Sequence, residues 1–369
     1  MGGQVGRVLI GVGGAVVAFV VGLLATGTFD NRLDDNGIAG GARTVTVLAI
    51  VAAVAGTAMY AAAEWVQTRQ IESIARQFGT RTLVMMPLAI ALNVILGQTV
   101  ASALKVPIYL DSIGTILVGV LCGPLAGAAT GILANLAWTF LFAGTPFGSP
   151  YAWPFAVVAG EIGFVAGLVG YAGLLRPRPN TPLPRLLAGL AAAAAFVIGV
   201  AWFAVLPFYR GLCEVADGGT VADSPCFQLF SPGLSGLAPV FAFLAVVVLA
   251  VIALGVAGFV LRVLRDRDLG VVFAVVAGAA CGVISALIAA PIAVLVFGGV
   301  TGSGTDLLVL AFTQAGSDLQ TAVVQQALLS DTIDKSITYL IVFVVLASAS
   351  RRIVARFPQG ERAVGTIDA

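Results

Sequence analysis

The chain has 369 residues, of which 59% are hydrophobic and 10% charged, with mean hydropathy +1.05 and net charge +1. Water-soluble domains carry roughly 25% charged residues, so this composition describes an integral membrane protein with no sizeable soluble domain, and near-neutrality argues against nucleic acid as a partner. Histidine is absent and the only lysines are Lys105 and Lys335, neither in a GxxxxGK[ST] loop, which excludes Ser-His-Asp triads, HExxH zinc sites, His-ligated haem and a Walker A site for ATP.

A membrane-spanning helix needs about 20 mostly apolar residues. Stretches of that character occur at 8–27, 44–65, 82–104, 108–122, 124–144, 152–175, 186–207, 234–261, 270–298 and 336–350, the fourth and last being short. The expected fold is therefore all-α, an integral membrane protein of about ten transmembrane helices. The first stretch has Gly and Ala near its end, as a cleaved signal peptide would. The charge pattern nevertheless works with it retained as a span.

Orientation follows from the basic residues of short loops. Arg7, the groups Arg69/Arg76/Arg81, Arg176/Arg178/Arg185 and Arg262/Arg265/Arg267, and Arg351, Arg352, Arg356 and Arg362 all fall on one side. Only Arg32, Arg43, Lys105, Arg210 and Lys335 fall on the other. This places both termini in the cytoplasm, and a miscounted span would put an arginine cluster outside. The outer loops would then hold the acids, among them Asp30, Glu214, Asp306, Asp318, Asp331 and Asp334.

Four regions follow along the chain. Residues 1–81 form an N-terminal two-span appendage with an interfacial segment at 66–81. Residues 82–185 are the first part of a core and end in the Pro-rich linker RPRPNTPLPR. Residues 186–269 are an inserted two-span hairpin whose outer loop holds Cys213 and Cys226. A disulfide is permitted on that side of the membrane, and two free thiols are the alternative. Cys122 and Cys281 lie within spans and read as packing residues. Residues 270–369 complete the core. They carry a lid-like outer segment, 299–335, which opens on the flexible Gly-rich GGVTGSGTD and continues amphipathically through 307–329. GPLAGAATGILAN and GAACGVISALIAAP are alike, either as an internal repeat or through shared Gly/Ala content, which suits close helix packing.

The polar residues within spans are the candidates for function. Asp111, at the outer end of its span after Tyr109, needs a partner or water. Lys335 emerges on the same side, and the pair would either set helix register or contact a ligand. Glu161, mid-span in AVVAGEIGFVAG, costs at least about 2.5 kcal/mol to insert and must face the bundle interior. It is either a ligand or proton site, or a protonated acid bonded to a neighbouring helix. Asn93, Gln98, Asn135 and Trp138 lie on adjacent spans at similar depth, where amides glue helices together or line a pocket. Tyr151 and Trp153 read as an aromatic belt or a stacking surface. No metal or cofactor is expected.

The run ALNVILGQTVASALKVPIYLDSIGTILVGVLCGPLAGAATGILANL resembles the N-terminal half of the substrate-binding S components of energy-coupling factor (ECF) transporters. SDTIDKSITYLIVFVVLASASRR resembles the end of such a protein. The resemblance covers roughly 82–175 and 270–352, and IYLDSIGT…GP..G...G is its most distinctive part. It implies a helical bundle, typically of six spans with cytoplasmic termini, that is not an enzyme. Such a bundle captures a vitamin or other micronutrient near the outer face beneath lid loops. A transmembrane T subunit and two cytoplasmic ATPases drive uptake, and the bundle is thought to topple to carry its site inward. Spans three to six, nine and ten would form this six-helix S-component-like core, leaving four extra spans. The protein would lie in the cell membrane of a prokaryote. Asn93, Gln98, Tyr109, Asp111, Asn135, Trp138, Glu161 and Lys335 are the expected substrate-binding residues. An S-component-like receptor or assembly protein without transport is the alternative. An intramembrane aspartyl-type enzyme built on Asp111 and Glu161 has no motif behind it.

Overall fold

A computed structural model describes residues 2–25, 48, 51, 55–56, 58–68, 72–103, 108–143, 149, 152–213, 260–261, 263–314 and 317–364. Regular structure among them is helical throughout, with no strand. The helices are α1 (Gly2–Ala25), α2 (Glu72–Gln77), α3 (Thr80–Gly97), α4 (Ile113–Cys122), α5 (Pro124–Leu136) and α6 (Ala156–Tyr171). After them come α7 (Leu183–Cys213), α8 (Leu269–Phe297), α9 (Asp306–Gln314), α10 (Leu319–Ser348), α11 (Arg351–Val354) and α12 (Gly360–Val364). Five stretches are long and apolar enough to cross a membrane: Thr80–Val100, Pro124–Leu141, Trp153–Tyr171, Leu183–Val200 and Leu269–Phe297. Leu9–Gly22 and Ile113–Cys122 are apolar but shorter. The expected span at 234–261 lies almost wholly outside the described residues, as do Cys226 and the side chain of Cys213.

Glycine sets the spacing of this bundle. A Cβ on Gly119 of α4 or Gly127 of α5 would meet the carbonyl oxygen of Gly163 on α6, and one on Gly163 would meet Gly127. On the opposite side, Gly278 and Gly282 of α8 rest against the backbone at Lys335 and Asp331 of α10. Backbone-to-backbone contact replaces side-chain interdigitation, which favours helix association where lipid offers no hydrophobic drive. Around these contacts Ile116, Val118, Val120, Cys122, Ala126, Ala166, Ala274, Cys281 and Val342 form the main core, and Cys122 and Cys281 are buried free thiols. The turn from α4 to α5 is made by Gly123 at φ +122, followed by Pro124 at the first turn of α5, where no intrahelical N–H is needed. Gln77 Oε1 accepts from Leu125 N at 2.9 Å and satisfies one donor there. Leu83, Val84, Leu88 and Ile95 of α3 point outward, an apolar face suited to lipid.

Arginines collect at one end of the bundle. Arg81 Nη1 donates to Arg356 O at 2.7 Å, Arg362 Nη1 to Tyr171 O at 2.9 Å, and Arg178 to Gly173 O and Leu174 O. Burial draws the Arg178 guanidinium below its ordinary value, with Arg176 adding to the effect.

Two expectations need correction. The stretch 108–122 is not one helix: α4 starts only at Ile113, after non-helical residues 108–112. Ten residues of helix rise about 15 Å, half of a hydrocarbon core about 30 Å thick. The chain therefore enters α4 midway along the bundle, with Asp111 and Ser112 inside it. The segment 299–335 is likewise not all lid, because α10 is continuous from Leu319 to Ser348. Asp318 caps it, accepting from Gln320 N and Thr321 N at 3.0 and 3.1 Å. Asp331, Asp334 and Lys335 make its first half look like a loop by hydropathy, yet all three are buried within the bundle. The glycine-rich start of the segment is also held: Asp306 accepts from Thr301 N, Thr301 Oγ1 and Gly302 N at 3.0, 3.0 and 2.7 Å.

Candidate ligand cavity

Away from the arginines, the helices enclose a cavity of about 290 Å³. Non-helical residues Tyr109, Asp111 and Ser112 form one wall together with Thr115 of α4. Asn135 and Trp138 come from α5 and its continuation, and Phe155, Val158 and Ile162 from the start of α6. Ser285 and Ala289 of α8 and Gln326, Asp331 and Lys335 of α10 complete it, with Thr301, Gly302 and Ser303 of the α8–α9 turn. Tyr109 Oη lies 2.9 Å from Thr305 Oγ1 and ties that turn to the α4 wall.

Lys335 organises the charged part. Its Nζ donates to Ser112 Oγ at 3.0 Å and to Asp334, and lies 3.7 Å from Asp111 Oδ1. The expected Asp111–Lys335 pair therefore exists, but Asp334 is the closer partner. Asp334 is fully buried, and its Oδ1 also accepts from Tyr109 N and Leu110 N at 3.0 and 2.8 Å. Leu110 adopts φ +52, a conformation costing on the order of 1–2 kcal/mol for a residue with a Cβ. Hydrogen bonds to a charged group contribute about 1.5–3 kcal/mol each, so the two bonds to Asp334 outweigh that strain. One carboxylate thus fixes both the lysine and the break before α4.

Of the residues singled out from sequence, Gln98, Tyr109, Asp111, Asn135, Trp138 and Lys335 line the cavity. Asn93 and Glu161 do not. Asn93 is buried behind the wall: its Nδ2 donates to Thr115 Oγ1 at 2.7 Å and its Oδ1 accepts from Gly114 N at 2.8 Å, fastening α4 to α3. Glu161 accepts from Ser285 Oγ at 2.8 Å and lies 4.0 Å from Cys281 Sγ, so it orients a lining hydroxyl from α6. Asn135 Nδ2 donates to Ala152 O at 3.1 Å. The indole Nε1 of Trp138 is buried and has no hydrogen-bond partner among the described residues.

Sequence reading missed Ser112, Thr115, Ser285 and Gln326, and treated Asp331 and Asp334 as loop acids. A signal existed for the last two: Asp331, Asp334 and Lys335 stand at i, i+3 and i+4, one face of a helix. Among the described residues no group of His, Cys, Asp or Glu is arranged to hold a metal ion.

Spanning helices closed around a polar cavity define a multi-pass membrane protein. Residues 81–221 match the family model for the ECF transporter, substrate-specific component. Proteins of this family are transport subunits, not enzymes, and work with a substrate and an ECF module. The match runs through α7, beyond the resemblance seen at 82–175, and ends before α8 and α10. No curated protein and no solved structure matches the chain.

Proposed function

We propose that this protein is the substrate-binding subunit of an ECF-type importer and captures a vitamin-like micronutrient in the cavity beneath the α8–α9 turn. The observation that carries the reading is the cavity itself: a concave space between the helices where polar groups from several elements converge beside apolar side chains, as small-molecule sites have. Its position supports the same reading, because the arginines gather at the other end, which the positive-inside rule assigns to the cytoplasm. In this reading the chain has ten spans with both termini cytoplasmic. Helices α3–α6, α8 and α10 form the six-helix core, and a T subunit with two ATPases drives import. Gln98, Tyr109, Asp111, Asn135, Trp138 and Lys335 contact the ligand, while Asn93 and Glu161 hold the wall.

The test is thermal stabilisation of the purified full chain by a panel of water-soluble vitamins, with uptake measured in cells. One compound raises the melting temperature, and Asp111→Asn with Glu161→Gln lowers its uptake. A flat panel together with unchanged uptake sinks the proposal. A receptor or assembly role without transport is the second reading, favoured by α1 lying outside the matched stretch. It predicts ligand binding with no uptake when T subunit and ATPases are co-expressed.

A further inference from the structure

We infer that the ligand of this cavity carries a cationic nitrogen, an inference that rests on the capture role proposed above. Three carboxylates cluster at the charged wall, Asp111, Asp331 and Asp334, and Glu161 stands behind Ser285. Among the described residues the wall offers them one cation, Lys335. That ammonium is already engaged by Asp334 and Ser112. Asp111, 3.7 Å from it with a side chain 23% exposed, faces the cavity, as does Asp331, 6% exposed one turn earlier on α10. A buried carboxylate is stabilised either by taking up a proton or by a countercharge, and a ligand ammonium or heteroaromatic cation entering between Asp111 and Asp331 supplies the second. A ligand carboxylate or phosphate would meet two acids and a lysine already taken.

A second observation points to a bound molecule at this place. Trp138 is 7% exposed, lines the cavity, and its Nε1 has no hydrogen-bond partner among the described residues. An indole N–H buried in this way calls for an acceptor that the described residues do not provide. With Tyr109 and Phe155 it also gives the cavity aromatic rings, which attract cations to their faces. The ligand class is therefore a small ring compound with a cationic nitrogen and a hydrogen-bond acceptor.

The experiment is calorimetric binding to the purified full chain, using water-soluble vitamins grouped by charge. Pyridoxamine against pyridoxine and nicotinamide against nicotinate serve as near-isosteric pairs, and thiamine as a permanent cation. The expected result is that cationic compounds bind best, with pyridoxamine at least about tenfold tighter than pyridoxine, a difference of 1.4 kcal/mol. Asp331→Asn is expected to remove that preference, bringing pyridoxamine and pyridoxine within about twofold of each other. If the variant does not fold, the wild-type pair decides alone. Tighter binding of anionic or neutral members overturns the charge inference and leaves the capture role standing. No binding by any member overturns both.

Discussion

The two halves of the cavity are built differently. The wall from α3 to α6 lies within the matched stretch and, apart from Asp111, presents neutral polar groups, such as Asn135, Trp138 and Thr115, on helices locked by glycine contacts. The wall from α8 and α10 lies beyond the match and carries Asp331, Asp334 and Lys335, also over glycine contacts at Gly278 and Gly282. The same packing device thus supports a neutral wall and a charged one. The α10 wall depends on charge balance, whereas the α3–α6 wall depends on shape and on single hydrogen bonds.

That contrast can be broken from the charged side first. Asp334→Ala leaves Lys335 buried beside a weaker partner and releases the backbone at Tyr109 and Leu110. A loss of about 3–5 kcal/mol is expected, read as a fall in melting temperature of the purified protein. Adding Lys335→Met to Asp334→Ala should recover part of that loss, because the buried ammonium is gone, while Asp111 loses the cation beside it. A double variant no more stable than Asp334→Ala would show that charge balance is not what holds this wall.

Shape is tested next. Gly163→Leu puts a side chain into the backbone of Gly127, and overpacking of this kind costs about 3 kcal/mol. A variant that melts with the wild type would mean that α5 and α6 do not touch there. Asn93→Ala removes the acceptor of Gly114 N and the donor to Thr115, for an expected loss of about 1–3 kcal/mol. Ligand affinity should fall less than stability, because Asn93 stands behind the wall. A selective loss of affinity would move Asn93 into the site.

The smallest effect concerns the cap of α10. Hydrogen bonds from Thr321 hold the Asp318 carboxyl below its ordinary value of 3.8. The folded form therefore favours the ionised acid, and this stabilisation is complete above that ordinary value. It fades as pH falls through the lower folded value. The difference in melting temperature between wild type and Asp318→Ala should shrink in strong acid. A difference that grows there would reverse the assigned direction.

Much of the fold was legible because apolar length is a direct signal. The helices at 80–100, 124–141, 153–171, 183–200 and 269–297 and the turn at Gly123–Pro124 all fall where long apolar runs and a Gly-Pro break indicate. Two features were hidden for opposite reasons. Ile108, Tyr109 and Leu110 are apolar enough to extend α4 on paper, but the bonds from Asp334 that stop the helix come from far along the chain. The first half of α10 is polar enough to pass for a loop, because hydropathy cannot see that Asp334 and Lys335 pair inside the bundle. The cavity was legible in the same partial way. A polar side chain in an apolar run must turn inward, which identified Gln98, Asn135 and Trp138. Polarity does not say whether such a side chain meets open space or another helix, and on that point Asn93 and Glu161 fall apart from the rest.

The shortness of α4 has a further consequence. An ordinary crossing helix would continue through the space above Ser112 and fill it with its own side chains. Here the missing turns leave the cavity open, and Asp334 is the stop that keeps them missing. A substitution that let residues 108–112 wind into helix would leave every lining side chain in the sequence and still abolish the room they surround.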